Sequence, residues 1–280
     1  MPVEGLNEKS DLTKVAIITL MSIFILGYLN GMALNTYDLG GIVTSQTGNV
    51  VWIGLNAAAG NWVAFFENIG LFGGFILGNV FALFTQQVFK NRRAQFYFDW
   101  TIFILPIIAY PLLLQNVVIS LASFIILGFA AGTGVGFFRK MYKTEVNNAM
   151  ATGSVRQLGL NFANAFIKKD TRGQKESVSA FWMIFLCVFA FGFGAYISAI
   201  FAKIDYNLSI DTVLGISNLG YGRLSFGLGG YSFEHVVRDD RLAMGLGEGR
   251  VLATNITRVI GLIVICVIPY FLCPKYKEQN

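Results

Sequence analysis

Apolar and polar positions alternate along this chain in long blocks: extended hydrophobic runs are broken by short clusters of charge. Six runs are read as helices crossing a hydrocarbon core of roughly 30 Å, a distance that takes about 20 helical residues. They cover residues 15–34, 68–89, 100–114, 117–138, 178–202 and 251–273. The third and fourth come from one uncharged stretch, residues 100–138, which is too long for a single span and suits a hairpin turning at Gln115 and Asn116. Pro106 and Pro111 are expected to kink the third.

A further apolar piece, residues 42–59, decides the topology. If it does not cross, Lys90, Arg92 and Arg93, then Arg139, Lys140 and Lys143, then Lys168, Lys169, Arg172 and Lys175, and finally Lys275 and Lys277 share the side of Lys9 and Lys14. Fourteen of the 21 basic residues then lie inside, five lie in the outer loop, and Arg156 and Arg258 remain at membrane depth. This satisfies the positive-inside rule, so six spans with both termini cytoplasmic are expected.

Composition agrees with the pattern. At 55% hydrophobic and 13% charged residues the chain is too apolar for a soluble domain, in which about a quarter of residues are charged. The net charge of +5 resides at the ends of apolar runs, so no nucleic-acid-binding surface is expected. Cys187, Cys266 and Cys273 lack C-x-x-C spacing and read as buried thiols. No metal or cofactor is expected. The polar N-terminus precedes a first run without a small-residue cleavage site, so that run is expected to stay as a span.

Comparing the chain with itself reveals a repeat. Residues 47–56 read T-G-N-V-V-W-I-G-L-N and residues 152–161 read T-G-S-V-R-Q-L-G-L-N, six of ten being identical at an offset of 105. The register continues upstream through Gly27 with Gly132, Gly31 with Gly136 and Tyr37 with Tyr142. Each half holds three spans, and an odd number of crossings inverts the second copy. The expected fold class is therefore all-α: a polytopic membrane helix bundle of six transmembrane helices in a 3+3 inverted repeat, with a re-entrant or broken helix in each half. The divisions are a cytoplasmic tail (1–14), a first repeat (15–116), a second repeat (117–273) containing a Gly-rich outer loop (203–250), and a cytoplasmic tail (274–280).

The motif itself carries chemistry. Thr47 and Thr152 are expected to N-cap helices starting at Gly48 and Gly153, where glycine admits close backbone approach. Helix N-termini present unpaired N–H groups and partial positive charge, which favour an anion. The candidate substrate-binding set is Thr47, Gly48, Asn49, Thr152, Gly153, Ser154, Arg156 and Arg258, with Asn30, Gln46, Asn56, Asn147, Asn148, Gln157 and Asn161 as neutral hydrogen-bonding groups. For these neutral groups a helix-to-helix hydrogen bond is the more ordinary role. Arg258 lies eight residues beyond Arg250 and is read equally well as facing the interior or snorkelling outward. Asp38, Glu67, Asp99 and Glu145 fall near span ends, where a solvated carboxylate is ordinary. Asp38 and Glu145 flank the motifs and are the candidates for proton coupling.

Rows of small residues, Gly70, Gly74 and Gly78, then Gly128, Gly132 and Gly136, then Ala190, Gly194 and Ser198, are read as close-packing helix faces. Trp52, Trp62, Trp100 and Trp182 are read as interface anchors. The loop 203–250 carries nine glycines, five basic and six acidic residues and His235.

The run Gly27-Tyr28-Leu29-Asn30-Gly31-Met32, with Gly40-Gly41, Thr47-Gly48-Asn49-Val50-Val51 and the second T-G at Thr152-Gly153, resembles the YoaK-type family of bacterial membrane proteins, a domain of unknown function. The resemblance covers about residues 15–202. Asn30 stands where the family's G-x-x-D-A pattern has Asp, and its Q-N-A element is not at the usual place. The resemblance implies a multi-pass protein of the bacterial plasma membrane. The expected function is transport or facilitated passage of a small polar solute, anionic by the motif chemistry, through alternating access between the repeats. The alternative is a non-transporting scaffold or assembly factor acting through the outer loop. An enzyme is not expected, since H-E-x-x-H and G-x-S-x-G are absent. The expected partners are the lipid bilayer and the solute, and a homo-oligomer is compatible with the sequence.

Overall fold

Charged breaks and tight turns cut the apolar runs into helices. The computed structural model describes residues 9–37, 43–113, 120–138, 140–141, 144–145, 151–167, 173–214 and 256–274. Among these, eight α-helices follow in order: α1 (Lys9–Tyr37), α2 (Gln46–Ala58), α3 (Trp62–Val88), α4 (Arg92–Leu113), α5 (Ser120–Phe137), α6 (Ala151–Phe162), α7 (Gln174–Leu214) and α8 (Ile256–Phe271). A π-helical turn, Ala163–Ile167, extends α6. Two short strands, β1 (Lys140–Met141) and β2 (Thr144–Glu145), pair antiparallel after α5.

Three stretches are long and apolar enough to cross a membrane: Asp11–Gly31 in α1, Trp62–Val88 (all of α3) and Gln174–Phe201 in α7. Ala122–Phe137 and Gly261–Phe271 are shorter apolar helical stretches. The chain is thus a membrane protein with several apolar helices. Several boundaries differ from expectation: α1 begins at Lys9 and α3 at Trp62, each six residues earlier than expected. α4 begins at Arg92 because Asn91 caps it, its Oδ1 accepting from the N–H groups of Arg93 and Ala94 at 3.0 and 3.2 Å. α7 runs to Leu214, so the first twelve residues of the segment expected to be loop are helical. The turn expected at Gln115 and Asn116, and the Gly-rich stretch with His235, lie outside the described residues.

Glycine governs how the long helices meet. α1 packs along α7, and α3 along α5, each pair running parallel. A Cβ built on Gly27 or Gly194 would overlap the facing backbone, the carbonyl oxygens of Phe191 and Phe24 respectively. Gly132 meets Phe75 and Gly78 meets Phe129 in the same way across α3 and α5. Without side chains in between, backbones reach van der Waals contact, which is how helices associate where lipid offers no hydrophobic drive. The two seams use matching positions: Gly194 lies against Phe24 and Tyr28, and Gly78 against Phe129 and Thr133. Positions in α1 and α5 differ by 105 residues and those in α7 and α3 by 116. The small-residue rows are therefore packing surfaces, as read.

The remaining contacts orient the bundle. Gln86 Nε2 at the end of α3 donates to Gly136 O at the end of α5 (3.4 Å). Trp100 near the start of α4 meets the Phe138 ring edge-on, and Thr101 and Tyr270 share a 2.8 Å hydrogen bond between α4 and α8. Cys273 lies by Tyr97, Arg93 and Lys14. The starts of α1 and α4 thus gather with the ends of α3, α5 and α8 at one end of the bundle, termed basal here. Trp100 is fully buried and donates its indole N–H to Cys266 O at 2.9 Å, so it locks α4 to α8 and is no interface anchor. Trp52, Trp62 and Trp182 are exposed.

The seams generate a paired test. Gly27→Ala should lower stability by about 1–3 kcal/mol, because the methyl must displace backbone. Gly192→Ala, whose Cβ would meet nothing within 4 Å, should be neutral or raise stability by about 0.5–1 kcal/mol. Thermal unfolding of the two purified variants in detergent checks this; equal effects would contradict backbone contact at the α1–α7 seam.

Candidate functional site

The two motif copies form short helices mounted on long ones: α2 packs on α3, and α6 with its π turn on α7. α2 ends in a Schellman arrangement, Asn61 N–H donating to Asn56 O (2.9 Å) and Gly60 N–H to Ala57 O (3.2 Å), with Gly60 at φ +69°. Asn61 then caps α3 by accepting from Ala64 N–H at 3.3 Å. A three-residue turn thus folds α2 back along α3. At the second copy, Gln174 Nε2 donates to Ala165 O at 2.8 Å and ties the start of α7 to the π turn.

The threonines do not cap as expected. α2 starts at Gln46, with Ser45 at the cap position and no side-chain cap hydrogen bond, so Thr47 is the second helical residue and exposed. Likewise α6 starts at Ala151, which puts Thr152 and Gly153 inside the helix; their side-chain environment lies outside the described residues. The physical reason is that Gln46 and Ala151 favour helix, so each helix starts two residues earlier than expected. In α2 the first intrahelical bond runs from Asn49 N–H to Ser45 O (3.1 Å). A Cβ on Gly48 would touch only Ser45, at 3.5 Å, so no protein segment requires glycine there.

α2 is turned inside out by the standards of a water-soluble helix. It buries Gln46, Asn49 and Asn56 and exposes Val50, Val51, Trp52 and Leu55. Such a helix is stable where the outside is hydrocarbon. The turn that enters α2 is wired to α1. Asn30 Nδ2 donates to Thr44 Oγ1 (2.8 Å) and to Leu26 O (3.0 Å), while Asn30 Oδ1 accepts from Thr44 N–H (3.3 Å). Asn49 Nδ2 donates to Gln46 Oε1 (3.3 Å), and Gln46 Nε2 to Val43 O (3.1 Å). Asn30, Thr44, Gln46 and Asn49 thus line the chain's entry into α2.

The second copy is similar in part. Ser154, the counterpart of Asn49, is buried. Arg156 is exposed, at the position where α2 exposes Val51, and so lies on the opposite side of α6 from Ser154. Gln157 is exposed too, and Asn161 Nδ2 turns back to Gln157 O at 2.9 Å. Arg258 is the third residue of α8, and its side chain lies outside the described residues, as do Asp38, Asn147 and Asn148. Glu145 pairs in register with Lys140 between β1 and β2. Sequence reasoning passed over Thr44, whose partner stands fourteen residues earlier, and it placed Asp99 in solvent, whereas the structure buries it.

Against known proteins, residues 18–218 match the family model described as a protein of unknown function (DUF1275). The chain belongs to this family. The match takes in both motif helices and both glycine seams, while α8 falls beyond it. No curated protein and no solved structure matches the chain.

The α1–α2 junction gives a stability prediction. Asn30→Leu removes three hydrogen bonds and leaves the buried Thr44 N–H unpaired, a cost of about 1–3 kcal/mol. Thr44→Val removes one bond and should cost less. In thermal melts the double variant should lose less than the two single losses combined, as groups sharing one network do.

Proposed function

We propose that this chain is a secondary transporter or facilitator of a small polar solute, in a bacterial plasma membrane, with six spans and cytoplasmic termini. It carries no catalytic chemistry in this reading. The single observation that carries it is the inverted polarity of α2: carboxamides face the bundle interior at a helix N-terminus whose Ser45 makes no side-chain cap hydrogen bond. Such a terminus suits a polar ligand group.

The two halves are read as an inverted repeat working by alternating access. The matched positions in the α1–α7 and α5–α3 seams support this, as does the basal gathering of the start of α1 with the end of α5, which makes these counterparts run in opposite directions. The site proposed is formed by Thr47, Gly48 and Asn49 from one copy and Thr152, Gly153 and Ser154 from the other, with Asn30, Thr44 and Gln46 holding the first in place. The buried groups described at this site are uncharged, so an anionic solute would draw its cation from Arg156 or Arg258 after rearrangement. A second reading, a scaffold acting beyond the membrane, is favoured by the extension of α7 past Phe201 to Leu214, about 20 Å of helix.

Proteoliposomes loaded with the purified chain and offered a panel of labelled anions, amides and polyols test the proposal. Uptake above protein-free vesicles is expected for at least one solute, reduced at least about tenfold by Asn49→Leu or Ser154→Leu. Arg156→Gln and Arg258→Gln should abolish it only if the solute is an anion. Retention of every panel member outside the vesicles, or uptake indifferent to Asn49 and Ser154, would overturn the transport reading. Deleting residues 203–250 should spare uptake in that reading and remove partner binding in the scaffold reading.

A further inference from the structure

We propose that Asp99 is a proton-binding site at the basal end of the bundle. Its side chain is 5% exposed. Oδ2 accepts from Gln95 Nε2 at 3.3 Å, whereas Oδ1 has no hydrogen-bond partner among the described residues. The Thr85 hydroxyl faces the carboxyl from α3, yet its own hydrogen is given to Ala82 O at 3.0 Å. While the hydrogen stays on Ala82, the Thr85 oxygen faces the carboxyl as an acceptor, which the protonated acid can meet by supplying a hydrogen. One donor from Gln95 and one acceptor from Thr85 complement the neutral acid and leave the anion one bond short.

Among the described residues no lysine or arginine side chain lies against the carboxyl. Arg92 Nη1 donates to Gln95 Oε1 at 3.0 Å, one residue removed from the carboxyl. On α1, Lys14 pairs with Asp11 at 3.0 Å. Arg93 and Tyr97 of α4 are engaged with Cys273, and Tyr97 stacks on Tyr270 of α8. α5 ends here in the buried Phe137 and Phe138. A carboxylate buried in such packing, with one oxygen unbonded among the described residues, is driven toward its protonated form. Asp11, the other buried acid described here, pairs with Lys14, whereas no ion pair of Asp99 is found among the described residues.

The consequence rests on the transport reading. While the basal helices are packed, as here, the acid holds its proton on oxygen. Opening that end admits water, and the O–H bond is lost to it as hydronium. A solute cycle that opens and closes the basal end would thereby bind and release one proton.

Infrared spectroscopy of the full chain in lipid nanodiscs tests the site without any solute. At neutral pH the wild type should show the carbonyl band of a protonated carboxyl, absent in Asp99→Asn and shifted in Thr85→Val, which loses the acceptor. An acid neutral when folded and ionised when unfolded binds more protons folded, so stability falls as pH rises above the ordinary aspartate range. The melting temperature of the wild type should accordingly drop by at least about 2–4 °C relative to Asp99→Asn between pH about 5 and about 8. Absence of the band, its persistence in Asp99→Asn, its indifference to Thr85→Val, or parallel melting curves would overturn the proposal. A chain that transports nothing can still show the band, and one lacking it can still transport, so the two readings fail separately.

Discussion

Contact between helix backbones at glycine is the constraint on which the rest of this structure depends. In hydrocarbon the apolar side chains of α1, α3, α5 and α7 gain nothing by leaving lipid for one another. What holds the pairs is the close fit at Gly27, Gly194, Gly78 and Gly132, where even a methyl would overlap a carbonyl. Each long pair is therefore a rigid unit, and the shorter elements are set by it. α2 rides on α3 and α6 on α7. Trp100, inserted among Phe103, Phe138 and the Cys266 carbonyl, joins α4 to α8 at the basal end.

On this frame polar groups are placed by the requirement that each be satisfied away from water. Asn30 serves the hydroxyl and the N–H of Thr44 at once, so the segment entering α2 can lie inside the bundle without unpaired groups at that residue. α2 then turns its amides inward and its valines, tryptophan and leucine outward. The two copies diverge where Arg156 replaces Val51 on the outward face. Both the proposed solute site and the acid at Asp99 follow from one rule: in a lipid-embedded bundle, interior polarity is expensive and is retained where it has a partner to meet.

Much of this was legible in the residues. The small-residue rows named the packing faces, and the repeat offset of 105 reappears in the seam contacts. The short motif helices fell where the T-G copies stood. Boundaries were less legible. α4 reaches back to Arg92 through a cap at Asn91, and α7 runs on to Leu214 with no glycine or proline after Phe201 to end it before Gly215. The threonine caps failed because helix propensity at Gln46 and Ala151 was enough to shift the start. Trp100 and Asp99 misled because their position near the end of an apolar run says nothing of which neighbours cover them.

The sequence by itself determined the solvent, the helical class, the glycine faces and the doubling of the motif, since these depend on local pattern and on which residues lipid tolerates. Only the tertiary structure decided that Asn30 meets Thr44, that Asn49 turns inward and Arg156 outward, and that Asp99 sits covered. The reason is physical. Exposure and hydrogen-bond partnership belong to pairs of segments far apart along the chain, and in a helix a shift of two residues carries a side chain from the buried face to the lipid.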